Sequence, residues 1–174
     1  MKDKFILDAC CGARMFWWDK KHPNTIYIDE RVEKKGFVDN RQHREIKPDI
    51  KMDFRDLKFP DKTFKLVVMD PPHLIYPKVN HKKQVGFRLG LTYGVLDKET
   101  WKEDIKKGFD ECWRVLEDYG VLIFKWNNNN IPIPTLLKVL DKDPLFGHPT
   151  RRTKNMRSST HWFCFMKIPE VLNG

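Results

Sequence analysis

Short apolar runs that stop at an acid punctuate the chain, and one longer stretch repeats its apolar positions with a helical period. Phe5-Ile6-Leu7 stops at Asp8, Thr25-Ile26-Tyr27-Ile28 stops at Asp29-Glu30, and Leu66-Val67-Val68-Met69 stops at Asp70. Runs this short, bounded by polar or turn residues, predict buried strands over 5–7, 25–28 and 65–69, with a further one over 50–53 that ends at Asp53. Between 97 and 118, Trp101, Ile105, Phe109, Cys112, Val115 and Leu116 recur at helical spacing; Asp97 is the expected N-cap and Gly120 the expected stop. Strands over 121–124 and 160–166 and a short helix over 134–140, opened by Pro134, complete the reading. The segment 31–47 is polar and basic, read as a loop or short helix. The segment 74–96 carries Pro77, Gly86, Gly90 and Gly94 without a clear period, read as a long loop with one helical turn. Strands alternating with helices and connecting segments predict an α/β fold with a mainly parallel sheet.

Composition changes this picture in three ways. With 174 residues, 40% hydrophobic and 13% aromatic, the chain can fill one core, so 1–174 is read as a single domain and disorder is excluded. Lys and Arg number 33 against 24 Asp and Glu, a net charge of +9 that favours polyanionic partners. Cys10, Cys11, Cys112 and Cys164 form no C-x-x-C pair and have no His at finger spacing, so no metal site is expected; free thiols fit a reducing compartment. No signal-peptide core follows Met1, and no run approaches the roughly 18 apolar residues of a membrane helix, so a cytoplasmic location and no membrane association are expected.

The chemistry-bearing residues sit where the strands stop. Asp70-Pro71-Pro72-His73 follows a buried strand. The prolines donate no ladder hydrogen bond, so the strand ends there and carbonyls are left to face a cleft. An acid acceptor, free carbonyls and an aromatic ring together suit a planar amino group, which needs acceptors in its plane and a flat wall against its ring. Upstream, Asp8-Ala9-Cys10-Cys11-Gly12-Ala13-Arg14 joins a strand to an expected helix through small residues, the way open α/β sheets bring backbone close to a ligand. Asp29, at the next strand end, is placed to accept from ribose hydroxyls, and Phe54, beside Asp53, to cover an adenine face.

In this order, over roughly residues 5 to 126, these residues resemble the class I (Rossmann-like) S-adenosylmethionine-dependent methyltransferases. They are most similar to the branch that methylates amino nitrogens through an acid-Pro-Pro-aromatic motif, here Asp70-Pro71-Pro72-His73. The resemblance implies a mainly parallel seven-stranded sheet flanked by helices, with the 74–96 loop on the substrate side. It implies S-adenosylmethionine as cofactor: Asp8, Cys10 and Gly12 around its methionine part, Asp29 on the ribose, Asp53 accepting from the adenine amine and Phe54 beside the ring. Cys10, Cys11 and Arg14 stand where glycine is common in the family; Arg14 is then expected to pair with the methionine carboxylate, the alternative being a loop too crowded for the cofactor. Asp70 and the Pro71 carbonyl would accept the two N–H bonds of the target amine and His73 would stack on its ring, with methyl transfer in line and no metal.

A nucleobase in DNA, adenine first, is the expected substrate, flipped out if it lies in a duplex. RNA adenine or guanine comes next, then a protein glutamine or a small molecule; the non-enzymatic alternative is a nucleic-acid-binding module that no longer takes cofactor. The basic clusters Lys78, His81, Lys82, Lys83, Arg88 and Arg151, Arg152, Lys154, Arg157, interleaved with Tyr76, Phe87 and Trp162, are the expected phosphate-contacting rim. Asn127 to Asn130 follow a strand end and are candidates for lining the cleft.

Overall fold

The computed structural model describes residues 3–38, 44–76, 87–147 and 159–169. Among the described residues, eight strands and three helices follow in the order β1 (Ile6–Asp8), β2 (Thr25–Asp29), β3 (Ile50–Lys51), β4 (Phe64–Met69), β5 (Ile75–Tyr76), α1 (Phe87–Tyr93), β6 (Leu96–Asp97), α2 (Trp101–Val115), β7 (Leu116–Asn127), α3 (Ile133–Leu140) and β8 (Thr160–Met166). The main sheet has the order β3-β2-β1-β4-β7-β8. Its first five strands are parallel, and β8 returns antiparallel along β7 from Val121↔Met166 to Asn127↔Thr160. From β1 the chain moves outward through β2 to β3, then crosses back to β4 and outward to β7. The order therefore reverses between β1 and β4, where open α/β sheets form their ligand crevice.

The residues that carried the strand reading are the core of this sheet. Leu7, Ile28, Val67, Met69, Leu122 and Phe124 are buried in adjacent strands. Along β7, burial alternates strictly from Gly120, and Leu122, Phe124 and Trp126 share one face, as the period of a strand dictates. Helix α2 lays Trp101, Ile105, Phe109, Cys112 and Val115 on the sheet, with Phe109 in ring contact with Phe124 and Phe165. Leu136 and Leu140 of α3 are buried in the same core.

Several boundaries differ from the sequence reading. The main sheet holds six strands among the described residues, not seven: after α3 the chain turns through Asp141 in the left-handed region and meets β8 only as one bridge, Phe146↔Cys164. Asp97 lies in β6 instead of capping α2, and its carboxylate accepts from the Glu99 amide at 2.8 Å. Thr100 holds the cap position, with its hydroxyl donated to Asp104. The helix ends at Val115 without glycine, because Lys62 and Thr63 amides and the Lys167 ammonium donate to its last carbonyls. β7 then starts five residues earlier than expected and runs for twelve. Within 74–96, β5 and β6 pair as a small parallel sheet and α1 stands between them. The 31–47 stretch forms a Glu33↔Ile46 bridge, and no helix follows β1: residues 9–24 are turns. Among the described residues no helix is long and apolar enough to cross a membrane.

Candidate active site

At the β1/β4 reversal lies a cleft lined by Ala9 to Ala13 after β1, by Asp70 and Pro72 after β4 and by Lys125 of β7, together with Asp29, Phe54 and Tyr93. Sheet register explains its most polar contact. Met69 of β4 pairs with Phe124 of β7, so the next residues, Asp70 and Lys125, emerge side by side at the carboxyl ends. Lys125 Nζ donates to Asp70 Oδ2 at 2.5 Å, with both side chains about one-fifth exposed. Burial pushes the Asp70 carboxyl above its usual range, and the Lys125 ammonium pulls it back down. The same ammonium lies over the rings of Phe16 at 5.3 Å and Trp162 at 5.6 Å, which meet edge-on.

The loop after β1 is built on two buried acids. Asp8 is fully buried beneath the cleft and accepts from Trp17 Nε1 at 2.7 Å and from the Cys10 amide at 3.3 Å. Burial, with the Asp70 and Asp29 carboxylates nearby, raises it to about 7 against these hydrogen bonds. Asp29 accepts from the Gly12 amide at 2.9 Å through Oδ2 and from Arg31 through Oδ1. Gly12 takes φ +47°, and a side chain there would meet nothing within 4 Å, so its backbone borders open space in the cleft.

Arg31 also donates to the Leu91 carbonyl of α1 at 3.2 Å, fixing the helix that supplies Thr92 and Tyr93 to the cleft. The turn after α1 packs tightly: a Cβ on Gly94, at φ +79°, would lie 2.9 Å from Pro72. Phe54 is buried over Gly108 of α2, where a Cβ would come within 2.2 Å of its ring.

The structure thus gathers Cys10, Gly12, Asp29, Phe54, Asp70 and Pro72 around one cleft, with Asp8 and Pro71 buried behind it. His73 is half-buried against Tyr93, ring centroids 5.8 Å apart; burial, then the Lys125 charge, holds it down at about 4. Like His73, two further expected residues are absent from the cleft lining. Arg14 turns away, stacks on Tyr27 at 3.7 Å and donates to the Lys20 and Lys47 carbonyls and to Asp49. Asp53 gives both carboxylate oxygens to Arg55 at 2.7–3.1 Å. Of the expected basic rim, Arg88 is exposed on α1, whereas Lys78, His81, Lys82, Lys83, Arg151, Arg152, Lys154 and Arg157 lie outside the described residues. Among the described residues no His, Cys, Asp and Glu cluster is arranged to hold a metal ion.

Sequence reasoning missed Lys125 and Gly108. Each had a signal: a lysine between Phe124 and Trp126 in a core strand, and a glycine inside a strong helical pattern, where it costs about 1 kcal/mol against alanine.

No protein-family model matches the chain, and no curated protein matches it. Solved structures do. The N-methyltransferase NodS from Bradyrhizobium japonicum WM9 superposes with a TM-score of 0.52 at 12% identity, over 95% of this chain and 86% of that one. The PH0226 protein from Pyrococcus horikoshii OT3 gives 0.52 at 14% identity, over 96% of this chain and 84% of that one. At such identities the likeness is one of fold. The chain has the Rossmann-like fold of the class I methyltransferases.

Proposed function

We propose that this chain is an S-adenosylmethionine-dependent methyltransferase acting on an exocyclic amino nitrogen of a nucleobase, DNA adenine first and RNA adenine or guanine next. The observation that carries the reading is Asp70, which with Pro72 lines the same cleft at the sheet's reversal point as the small-residue loop at Cys10–Gly12, because the two loops leave the neighbouring strands β1 and β4.

The residues present suit the cofactor. Gly12 offers backbone without a side chain, Asp29 reaches the cleft as a carboxylate, Phe54 gives an aromatic wall, and Ala9 and Cys10 leave room between them. Asp29 is assigned to the ribose hydroxyls, Phe54 to the adenine face, and Cys10 and Gly12 to the methionine end. When bound, S-adenosylmethionine supplies a methyl group on a positively charged sulfur.

The chain's own residues do the rest. The amine of a nucleobase is a weak nucleophile because its lone pair is shared with the ring. Asp70 Oδ1 and the Pro71 carbonyl accept its two N–H bonds, and those bonds strengthen as the nitrogen becomes tetrahedral, which places their effect in the transition state. Lys125, bonded to Oδ2, opposes the rise in proton affinity that burial imposes on Asp70. The raised proton affinity of this carboxylate also suits it to take the proton that the methylated nitrogen sheds. His73, neutral at physiological pH, is an uncharged ring for stacking beside Tyr93.

The test is transfer of a tritiated methyl group from S-adenosylmethionine to DNA, tRNA and rRNA, followed by nucleoside mass spectrometry. The expected product is an N-methylated nucleoside. Cofactor binding by calorimetry with no label in any nucleic acid would overturn the nucleobase assignment, and label in a glutamine amide or small amine would redirect it.

A further inference from the structure

A second, wider groove opens beside the cleft and shares Gly12, Ala13, Met15 and Arg44 with it. Its walls come from the turns after β1 and from the segment leading into β3. Lys20, Lys21, Arg44 and Lys47 line it with exposed side chains, and among the described residues no salt bridge engages any of the four. Its acids are Glu45 and Asp49. Asp49 is already engaged, accepting from Arg14 at 3.0 Å and from the Tyr27 amide at 3.2 Å.

Arg14 explains why the groove exists. Its guanidinium, stacked on Tyr27, donates to the Lys20 carbonyl at 2.7 Å and the Lys47 carbonyl at 2.9 Å. One half-buried fork thus pins the two segments that carry Lys20, Lys21 and Lys47. Trp18, two residues before Lys20, is fully exposed.

We propose that this groove binds the phosphodiester backbone of a single-stranded nucleic acid and leads one base into the cleft. The proposal rests on the nucleobase reading above for its second half only; backbone binding stands on the groove itself. Four cations that no carboxylate among the described residues pairs with, running up to the mouth of a cleft, meet what a polyanion needs: several spaced phosphate contacts next to the place where one unit is processed. The exposed indole of Trp18 offers a surface on which an unpaired base stacks, and duplex DNA has none to offer.

The experiment is fluorescence anisotropy of a fluorescein-labelled, mixed-sequence single-stranded oligodeoxynucleotide, titrated with the protein over a range of salt and without S-adenosylmethionine. The triple variant Lys20→Gln, Lys21→Gln, Lys47→Gln keeps the carbonyls that Arg14 holds. It is expected to weaken binding at least tenfold at low salt and to lower the log–log salt slope by about 2, at roughly 0.7 per phosphate contact on a single strand. Its cofactor binding should be unchanged by calorimetry, which also reports a folded protein. Trp18→Ala should weaken binding at least fivefold with the slope intact, since stacking is worth roughly 1–3 kcal/mol per base.

An unchanged affinity and slope in the triple variant overturns the groove assignment, and an unchanged affinity in Trp18→Ala overturns its single-strand part. Equal competition by polyglutamate overturns nucleic acid as the partner. Groove-dependent binding without methyl transfer leaves backbone binding standing and removes the nucleobase reading together with the delivery of a base to the cleft. Methyl transfer with wild-type binding in the triple variant does the opposite.

Discussion

Asp53 and Asp70 each follow a strand on the carboxyl side of the sheet, and each is held by a cation, yet they face different things. Asp53 is paired with Arg55, two residues along, and the same guanidinium reaches outward to Asp104 at 2.8 Å and Glu30 at 3.5 Å. Burial raises the Asp53 carboxyl, but the Arg55 hydrogen bonds outweigh it and leave it below the usual range. Asp70 is paired with Lys125, 55 residues away on the neighbouring strand, and both line the cleft. There burial outweighs the cation and the carboxyl is raised. Both are acids after strand ends, and the counter-ion decides which is available to a ligand. A partner close in sequence closes the pair locally and turns it to the surface. A partner from the next strand keeps it at the mouth of the sheet.

Asp8 is the extreme of the inner kind, and its removal should give the largest effect. Its folded-state value, about 7, lies above the ordinary 3.8, so the folded protein holds a proton that the unfolded chain releases. Its contribution to stability is then fully present below pH 3.8, declines as pH rises toward 7, and levels off above that. The decline is worth up to about 4 kcal/mol. Urea denaturation across this window should show it in the wild type and a much flatter curve in Asp8→Asn. Parallel curves would mean that Asp8 is charged at no cost and that burial does not separate the inner acids from Asp53.

Next in size is Asp70→Ala. Losing one preorganised stabilising contact costs about 10²-fold or more in turnover, and cofactor affinity should hold within a few-fold because the loop after β1 is untouched. Single-turnover methyl transfer and calorimetry on the same variant separate the two. A fall in cofactor affinity with turnover intact would assign Asp70 to the cofactor instead of the target amine.

Asp29 belongs to the inner kind by position and to the outer kind by its nearby arginine, so it sharpens the contrast. It is 6% exposed, lines the cleft, and also holds the Gly12 amide. Removing a charged acceptor costs roughly 1.5–3 kcal/mol. Asp29→Ala should therefore weaken S-adenosylmethionine by about one to two orders of magnitude in calorimetry. Wild-type affinity would show that Arg31 withdraws Asp29 from the ligand as Arg55 withdraws Asp53.

Much of this was legible in the chain because burial leaves a mark there. The apolar runs ending at Asp8, Asp29 and Asp70 are β1, β2 and β4, and the 160–166 run is β8 to the residue. The elements that escaped are those whose causes are distant. Helix α1 carries Gly90 and sits just before Gly94, so its sequence reads as loop; Gly90 is there because a Cβ would come within 2.9 Å of Val95. The early end of α2 comes from donors at Lys62, Thr63 and Lys167. Arg14 follows the same rule at the site. Its neighbours in sequence point toward the cofactor loop, but Tyr27, Lys47 and Asp49 claim its guanidinium. Lys125 was hidden for the converse reason: an alternating core strand gives no hint that its next polar position emerges beside Asp70, because only the β4–β7 register says so.

The smallest expected effect is the one that most directly tests the contrast. Asp53 matched the sequence pattern for an adenine-binding acid as well as Asp29 matched that for a ribose-binding one. In the structure it is more than one-third exposed, absent from the cleft lining and spent on Arg55. Asp53→Ala should leave cofactor affinity within about twofold. Stability should fall by no more than about 1 kcal/mol, the range of a solvent-screened pair, since Arg55 keeps Asp104 as a partner. Phe54, the next residue, is the sharper probe of the same segment. It is buried and faces the cleft, so Phe54→Leu, which keeps the apolar volume over Gly108 but loses the flat ring, should weaken the cofactor more than Asp53→Ala does. The reverse order would mean that the carboxylate swings away from Arg55 to meet the adenine amine. A local ion pair would then be no barrier to ligand binding, and the distinction drawn between Asp53 and Asp70 would fail.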